Sequence, residues 1–422
     1  MPDLVMFLCK SLLGWLAIQG CLTLVFLWSL QSSQQKLLLD DQLPKTAVIL
    51  CLRGADPYLS DCLQALLKQN YPQYDLKIIV DHQEDPAWKI AVDTVQEQGA
   101  SNVEISALTT VRNNCSLKCS SLLQAVSELD DSYKIVALVD ADTVVHPNWL
   151  RELVSPLADP HVGATTGHRW YLPTGRYWGS LVRYIGNVST VVQMYLFGVP
   201  WGGTLAIKTE VLRQTGLLDK WSQAFGEDMM IRSVLKKYGM QVKFVPSLMM
   251  LNQEECDLPS LRTSIHRQLL CARLYHPQWM AVVGDVISSI LFPNLVLMSL
   301  LGALLTWQWE SVALLLGYYG SYTLGLLWLM VILEQGVQQV IRDRNQPNQP
   351  LAKLSSPIII RLLLGIPLTQ WIYGLGMLSS LRISTVKWRG INYRISGPWN
   401  IRLLEYHPYQ ILDQPGDPKV SL

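Results

Sequence analysis

Two aspartates, Asp140 and Asp142, are the residues of this 422-residue chain best placed to do chemistry. They close the stretch Lys134-Ile-Val-Ala-Leu-Val-Asp-Ala-Asp-Thr-Val-Val-His146. Carboxylates this close repel one another unless a cation sits between or beside them, and a hard divalent ion is the usual partner. A diphosphate would complete the oxygen shell of such an ion. The triplet alone is weak, since about one Asp-x-Asp occurs by chance in a chain this long. Its position gives it weight. The apolar run Ile135–Val139 reads as a strand buried on both faces, and open α/β sheets bind ligands at the carboxyl ends of such strands.

Other candidate groups stand at similar places. Asp81 follows the apolar run at 76–80, and a glycine pair, Gly202 and Gly203, lies in Pro200-Trp-Gly-Gly-Thr204. Glu227 and Asp228 lie in Phe225-Gly-Glu-Asp-Met229, where the pattern predicts the first turn of a helix. Acids in a first turn by themselves do no more than compensate the helix dipole.

The elements that must position these groups alternate. Strands are expected at 46–52, 76–80, 103–108 and 135–139, with helices between them running to residues 70 and 128 and one opening at Pro86. Strands and helices alternating at this spacing predict an α/β fold with a doubly wound parallel sheet. Shorter strands follow at 162–166, 204–207 and 241–245, with a helix over 177–197.

Half of the residues are hydrophobic and 16% are charged, against about a quarter charged in soluble domains. The excess sits at the two ends. Residues 11–30 form an uncharged run long enough to cross a bilayer, with no A-x-A-like cleavage site after it. Residues 281–305 and 311–333 are two more apolar runs of spanning length, the first containing Asp285, and 357–381 is a fourth, interrupted by Arg361, Pro367, Gly374 and Gly376. The boundaries that follow are a membrane anchor at 1–35, an α/β domain at 36–265, an interfacial helix at 266–280, a membrane region at 281–381 and a basic tail at 382–422. Arg342, Arg344 and Lys353 make the loop after the second run basic, so the positive-inside rule puts this loop and the α/β domain in the cytoplasm. A full crossing by 357–381 would put the basic tail outside, so a re-entrant or interfacial segment is expected there. The net charge of +1 gives no bulk electrostatic case for nucleic acid. Eight scattered cysteines without a C-x-x-C pair argue for reduced thiols and against zinc.

Taken in order, Asp81, Asp140 with Asp142, and Glu227-Asp228 on a membrane-tethered domain resemble the family 2 glycosyltransferases of GT-A fold, in their ceramide glucosyltransferase-like branch. Local likenesses are Arg53-Gly-Ala-Asp-Pro57, Asn70-Tyr-Pro-Gln-Tyr-Asp75 and Val80-Asp-His-Gln-Glu-Asp-Pro-Ala87. The resemblance implies that Asp81 holds the nucleoside of a UDP-sugar and that Lys118 approaches its diphosphate. It implies that Asp140 and Asp142 serve metal and diphosphate, with Asp142 the direct ligand of Mg²⁺ or Mn²⁺, and that Gly202 and Gly203 lie beneath the donor sugar. Asp228, beside Glu227, matches the general base. Arg267 matches a diphosphate-binding arginine, but Gln268 stands where such enzymes carry Trp, leaving His266 and Arg273 as residues that could share its role. The implied reaction is inverting transfer of a hexose from a nucleotide sugar to a membrane lipid. A processive polysaccharide synthase and a catalytically silent membrane scaffold are the competing readings.

Overall fold

The structure, a computed structural model, describes residues 2–32, 36–343 and 356–410. Arg344, Lys353 and residues 411–422, all part of the expected basic loop and tail, lie outside them. Helices α1 (Pro2–Ser32), α2 (Leu59–Leu67), α3 (Pro86–Gln98), α4 (Leu117–Ser127), α5 (Trp149–Val154), α6 (Trp178–Phe197), α7 (Thr209–Gln214), α8 (Leu217–Trp221), α9 (Ile231–Lys236), α10 (Leu258–Tyr275), α11 (Trp279–Leu305), α12 (Trp309–Arg342) and α13 (Ser356–Ser380) surround two sheets.

The large sheet has seven strands: β1 (Thr46–Leu52), β2 (Tyr74–Val80), β3 (Val103–Ala107), β4 (Ile135–Val139), β5 (Val162–Tyr171), β6 (Thr204–Lys208) and β7 (Gln241–Asn252), in the order β3-β2-β1-β4-β6-β5-β7. The expected α/β class holds, but the sheet is not wholly parallel: β6 runs antiparallel to both β4 and β5. This reversal serves the site. Val139, the last residue of β4, pairs with Thr204, the first of β6, so the loop that carries Gly202 and Gly203 arrives beside Asp140. Strands β5 and β7 continue well past the expected 166 and 245, pairing through Arg169↔Met250 and Tyr171↔Asn252. Two register shifts in that ladder let it bend outward. As a result β1, β2, β4, β5 and β7 all end, and β6 begins, on one edge of the sheet.

The sheet is covered on both faces. Leu50, Leu76, Ile78 and Val80 pack with Leu59, Leu63 and Trp149 on one side. On the other, Ile49, Val136 and Leu138 meet Leu122, Trp221 and Phe225, and here the chain's end joins the core. Strands β8 (Thr385–Trp388), β9 (Ile391–Gly397) and β10 (Asn400–Glu405) form an antiparallel sheet whose Val386, Ile391, Tyr393, Ile395, Ile401 and Leu403 are buried in that cluster. The tail is therefore not a loose basic strip. In β9 burial alternates residue by residue, so Arg394 is on the outward half of a half-buried strand. Its first turn, Arg389-Gly390, has positive φ at both residues (46° and 83°), as the tight two-residue hairpin turn requires.

Four helices, over Val5–Gln31, Trp279–Leu305, Trp309–Arg342 and Pro357–Ser380, are long and apolar enough to cross a membrane. The break expected near Pro367 is not there: α13 is one helix of 25 residues with Pro367 inside it. Its glycines allow close packing instead, since a Cβ at Gly374 would stand 2.2 Å from the Ile290 side chain. Both ends of α13 touch the catalytic unit. Arg361 donates to the Gly175 carbonyl near one end, and at the other Ser379 Oγ lies 2.9 Å from His266 Nε2 while Arg273 reaches the Ser380 carbonyl.

Candidate active site

The edge of the sheet described above gathers the expected residues. Lys118, on the first turn of α4, lies between two carboxylates: its Nζ is 2.7 Å from Asp140 Oδ1 and 2.6 Å from Glu227 Oε1. Asp140 and Asp142 both face Arg169, whose Nη2 lies 3.1 Å from Asp140 Oδ2 and 3.2 Å from Asp142 Oδ1. Asn252, ending β7, donates to Asp142 Oδ2 at 3.2 Å. Burial by itself raises the pKa of Asp140, but Lys118 and Arg169 outweigh it and hold the carboxyl below its usual range. Asp140 is thus held as an anion.

Asp228 is held differently. The helix expected to begin at Phe225 begins at Ile231, because the Glu227-Asp228 segment is committed to contacts with the glycine loop. Asp228 Oδ2 accepts from Gly202 N (3.0 Å) and Oδ1 from Met229 N (2.7 Å). Asp228 therefore precedes α9, and compensation of that helix's dipole does not describe it. Burial, then the neighbouring Glu227, pushes its carboxyl up to about 7 against the opposing Gly202 amide and Lys118. A carboxylate with that proton affinity is suited to general-base work near neutral pH.

The glycine pair is required by space. A Cβ at Gly202 would sit 2.1 Å from Glu227 Oε1, and one at Gly203 2.1 Å from the Trp201 ring and 2.7 Å from Asp140 Oδ2. Only this loop without side chains lets both acid stations approach β6.

The remaining expected residues fall on the same cavity. It measures about 570 Å³, and Asp81, Lys118, Asp140, Asp142, Gly202, Glu227, Asp228 and Arg267 all line it. Asp81 is paired with Arg53 on one oxygen, while its buried Oδ1 has no hydrogen-bond partner among the described residues. Arg267 makes no ion pair among the described residues, and its guanidinium lies 4.9 Å from the centroid of Trp388. A tryptophan thus stands beside Arg267, although it comes from β8, over a hundred residues later, and not from the position after it. His266 and Arg273 tie α10 to the end of α13, as above.

Sequence reasoning missed Arg169, Asn252 and Glu254, which all lie in the strand extensions or just after them. Glu254 Oε2 accepts from Arg183 Nη1 at 3.0 Å, its Oε1 is buried without a partner among the described residues, and burial followed by the charge of Asp142 pushes it up to about 7. The signal that could have found them was the continued strand pairing potential of Gly167-His-Arg-Trp-Tyr171 opposite Leu248-Met-Met-Leu-Asn252.

No group of three His, Cys, Asp or Glu side chains among the described residues is arranged to hold a metal by itself. Asp140 and Asp142 do converge on one cation, Arg169. Two carboxylates with phosphate oxygens and water making up the shell is an ordinary arrangement for Mg²⁺, so the pair fits an ion that arrives with a diphosphate.

The model of glycosyl transferase family 21 matches residues 12–399. The chain belongs to this family. The sequence resemblance pointed to family 2, and the family that matches is instead family 21, itself ceramide glucosyltransferase-like. Among solved structures, a mannosyltransferase from Pyrobaculum calidifontis in complex with GDP-Man and Mn²⁺ is 14% identical, the match covering 89% of this chain and 99% of that one at a TM-score of 0.47. Glucosyl-3-phosphoglycerate synthase from Mycobacterium tuberculosis, with Mn²⁺, UDP-Glc and glycerol 3-phosphate, is 14% identical over 56% of this chain and 85% of that one, at a TM-score of 0.36. None of the curated proteins matches. As a family 21 glycosyltransferase the chain is an enzyme class whose work is sugar transfer, and the anionic and base-like stations above are the chemistry such transfer needs.

Proposed function

We propose that this glycosyltransferase moves a hexose, with inversion, from a UDP-sugar to the hydroxyl of a membrane lipid. The observation that carries this reading is the continuity of the cavity. From Asp140 and Asp228 it runs on between the membrane-type helices, where Leu22, Val286, Ile290, Leu326 and Leu329 line it. A water-soluble acceptor has no need of an apolar extension, whereas an acyl chain does.

In this reading Asp81 binds the nucleoside, and Lys118 and Arg267 face the diphosphate. Preorganised cations at a leaving diphosphate are worth far more in a water-poor site than in solution. Asp140 and Asp142 would hold Mg²⁺ or Mn²⁺, which supplies further positive charge to the diphosphate. Asp228 takes the proton of the acceptor hydroxyl as the new glycosidic bond forms on the opposite face from the departing nucleotide.

The catalytic unit is assigned to the cytoplasmic side. Helices α1, α11 and α12 cross, whereas α13 lies along the interface, because both its ends are bound to the same catalytic unit. This arrangement keeps the tail sheet beside the active site and removes its conflict with the positive-inside rule. The test is to incubate the purified protein with radiolabelled UDP-hexoses and a total lipid extract. Label in an organic-soluble product, with the anomeric configuration opposite to the donor's, is expected. Label that stays water-soluble under all donors sinks the lipid assignment.

A further inference from the structure

The residues after β10 have no place in the reaction as described, yet they converge on Arg53. The guanidinium of Arg53 donates from Nε to the Arg389 carbonyl (2.7 Å), from Nη2 to the His407 carbonyl (3.2 Å), and pairs through Nη1 with Asp81 Oδ2. The Tyr406 hydroxyl feels the same carboxylate: burial, then the charge of Asp81, pushes it up to about 12. The Tyr409 ring lies flat enough on the backbone that a Cβ at Gly54 would stand 2.6 Å from it, and the Arg53 guanidinium lies 5.6 Å from its centroid. His407 Nε2 lies 3.3 Å from the Gly390 carbonyl, joining this strap to the β8–β9 turn.

Arginine and carboxylate left to themselves pair through two parallel hydrogen bonds, which would use both oxygens of Asp81. Here two backbone carbonyls claim Nε and Nη2, so Arg53 meets only one oxygen. The other, Oδ1, is left buried and without a partner among the described residues. Arg53, Gly54 and Asp81 line the cavity, whereas Tyr406, His407 and Tyr409 are not among its lining residues. The strap stands behind the wall and does not fill the pocket.

We infer that residues 406–409, with the Arg389 carbonyl, are positioning residues that keep Asp81 Oδ1 free to accept a hydrogen bond from the donor's nucleobase. This rests on the nucleotide-sugar reading above. A strap acting on the base end of the pocket has a signature that general destabilisation lacks: it changes nucleotide binding without changing diphosphate binding.

The test uses the full-length protein in detergent with Mn²⁺, titrated calorimetrically with UDP, GDP and inorganic pyrophosphate. Tyr406→Phe and Tyr409→Ala should each weaken binding of the nucleotide that the wild type takes by about tenfold, the scale of one hydrogen bond to a charged group. Pyrophosphate affinity should stay within about twofold, and turnover should show the loss in donor KM and not in kcat. Nucleotide affinity unchanged or raised in both variants, with the wild type binding normally, overturns the strap's role. Pyrophosphate and nucleotide losing affinity together also overturns it, since that is the mark of a damaged fold. A wild type that binds pyrophosphate but neither nucleotide overturns the donor reading itself, and this inference with it.

Discussion

Asp140 and Asp228 are half-buried aspartates on one cavity, and their surroundings push them in opposite directions. Around Asp140 stand Lys118 and Arg169, and Arg267 also lowers its pKa, so that the cost of burial is overcome and the carboxyl stays ionised. Around Asp228 the largest influence after burial is another acid, Glu227, and the two act in the same direction. Lys118 separates the two corners, since it pairs with Asp140 and Glu227 but only weakly offsets the proton affinity of Asp228. Residue type and burial are alike, so the difference in proton affinity follows the nearby charges. One corner is prepared to hold positive charge, and the other to take a proton.

Removing the anionic corner should have the largest effect. Asp142→Ala leaves Arg169 with Asp140 alone and takes away one of the two carboxylates that face a cation. Turnover should fall below detection, Mn²⁺-dependent donor binding should weaken, and EDTA should abolish activity of the wild type. Full turnover in EDTA would remove the metal from the comparison and leave Lys118, Arg169 and Arg267 as the whole of the cationic corner.

Removing the basic corner should be large but more selective. Asp228→Asn keeps the hydrogen-bonding shape and loses the proton acceptor. The rate should fall by about 10²- to 10⁴-fold, the range for a positioned general base, with donor affinity nearly intact because Asp81, Lys118 and Asp140 are untouched. Glu254→Gln is the contrasting change, since Glu254 also titrates near neutrality. If it, and not Asp228, gives the loss in kcat with normal donor binding, the two acids exchange roles.

The pH dependence sharpens the same contrast without mutation. Asp228 must be ionised to accept a proton, so kcat should rise with pH through about 7 and level off above it. Stability runs the other way. A carboxyl raised in the folded state binds its proton more tightly than in the unfolded chain, so its contribution is full below the ordinary carboxylate range and is lost as pH rises through about 7. A rate profile flat from pH 5 to pH 8 would show that no group with this proton affinity limits the reaction.

The sequence made the anionic corner legible because its parts are local. A five-residue buried strand and the two acids after it need no distant partner to be recognised, and the strand was expected with the bounds it has. The basic corner was legible as residues but not as geometry, since the approach of Gly202 to Asp228 depends on β6 running backwards. Least legible were contacts made between parts of the chain far apart. Arg169 was hidden because Gly167 and His168 interrupt the apolar run of β5, although His168 is itself buried there and stacks on Phe244 at 5.0 Å. The tail was read as a basic strip because its arginines and aromatics alternate, and that alternation is itself the strand signal. Its turn is Arg-Gly, not the Asn-Gly that usually announces a hairpin.

The smallest predicted effect tests whether that tail belongs to the anionic corner. Trp388 packs on Phe225 with centroids 5.6 Å apart and presents its ring to Arg267 at 4.9 Å. A cation held over an aromatic face gains about 0.5–2 kcal/mol, the larger figure when water is excluded. Trp388→Leu keeps an apolar contact for Phe225 while removing that face. Arg267 then loses its orientation but not its charge, so donor affinity should fall by about two- to thirtyfold, a range equal to that energy, and kcat should change less. Trp388→Phe should recover most of the loss, since a ring remains over the guanidinium. Removing Arg267 in the same chain distinguishes the two explanations: if Trp388 acts by orienting Arg267, Trp388→Leu should add nothing to Arg267→Ala. Additive losses would show that Trp388 acts through the Phe225 packing, and Arg267 would then stand in the anionic corner without an aromatic partner of consequence.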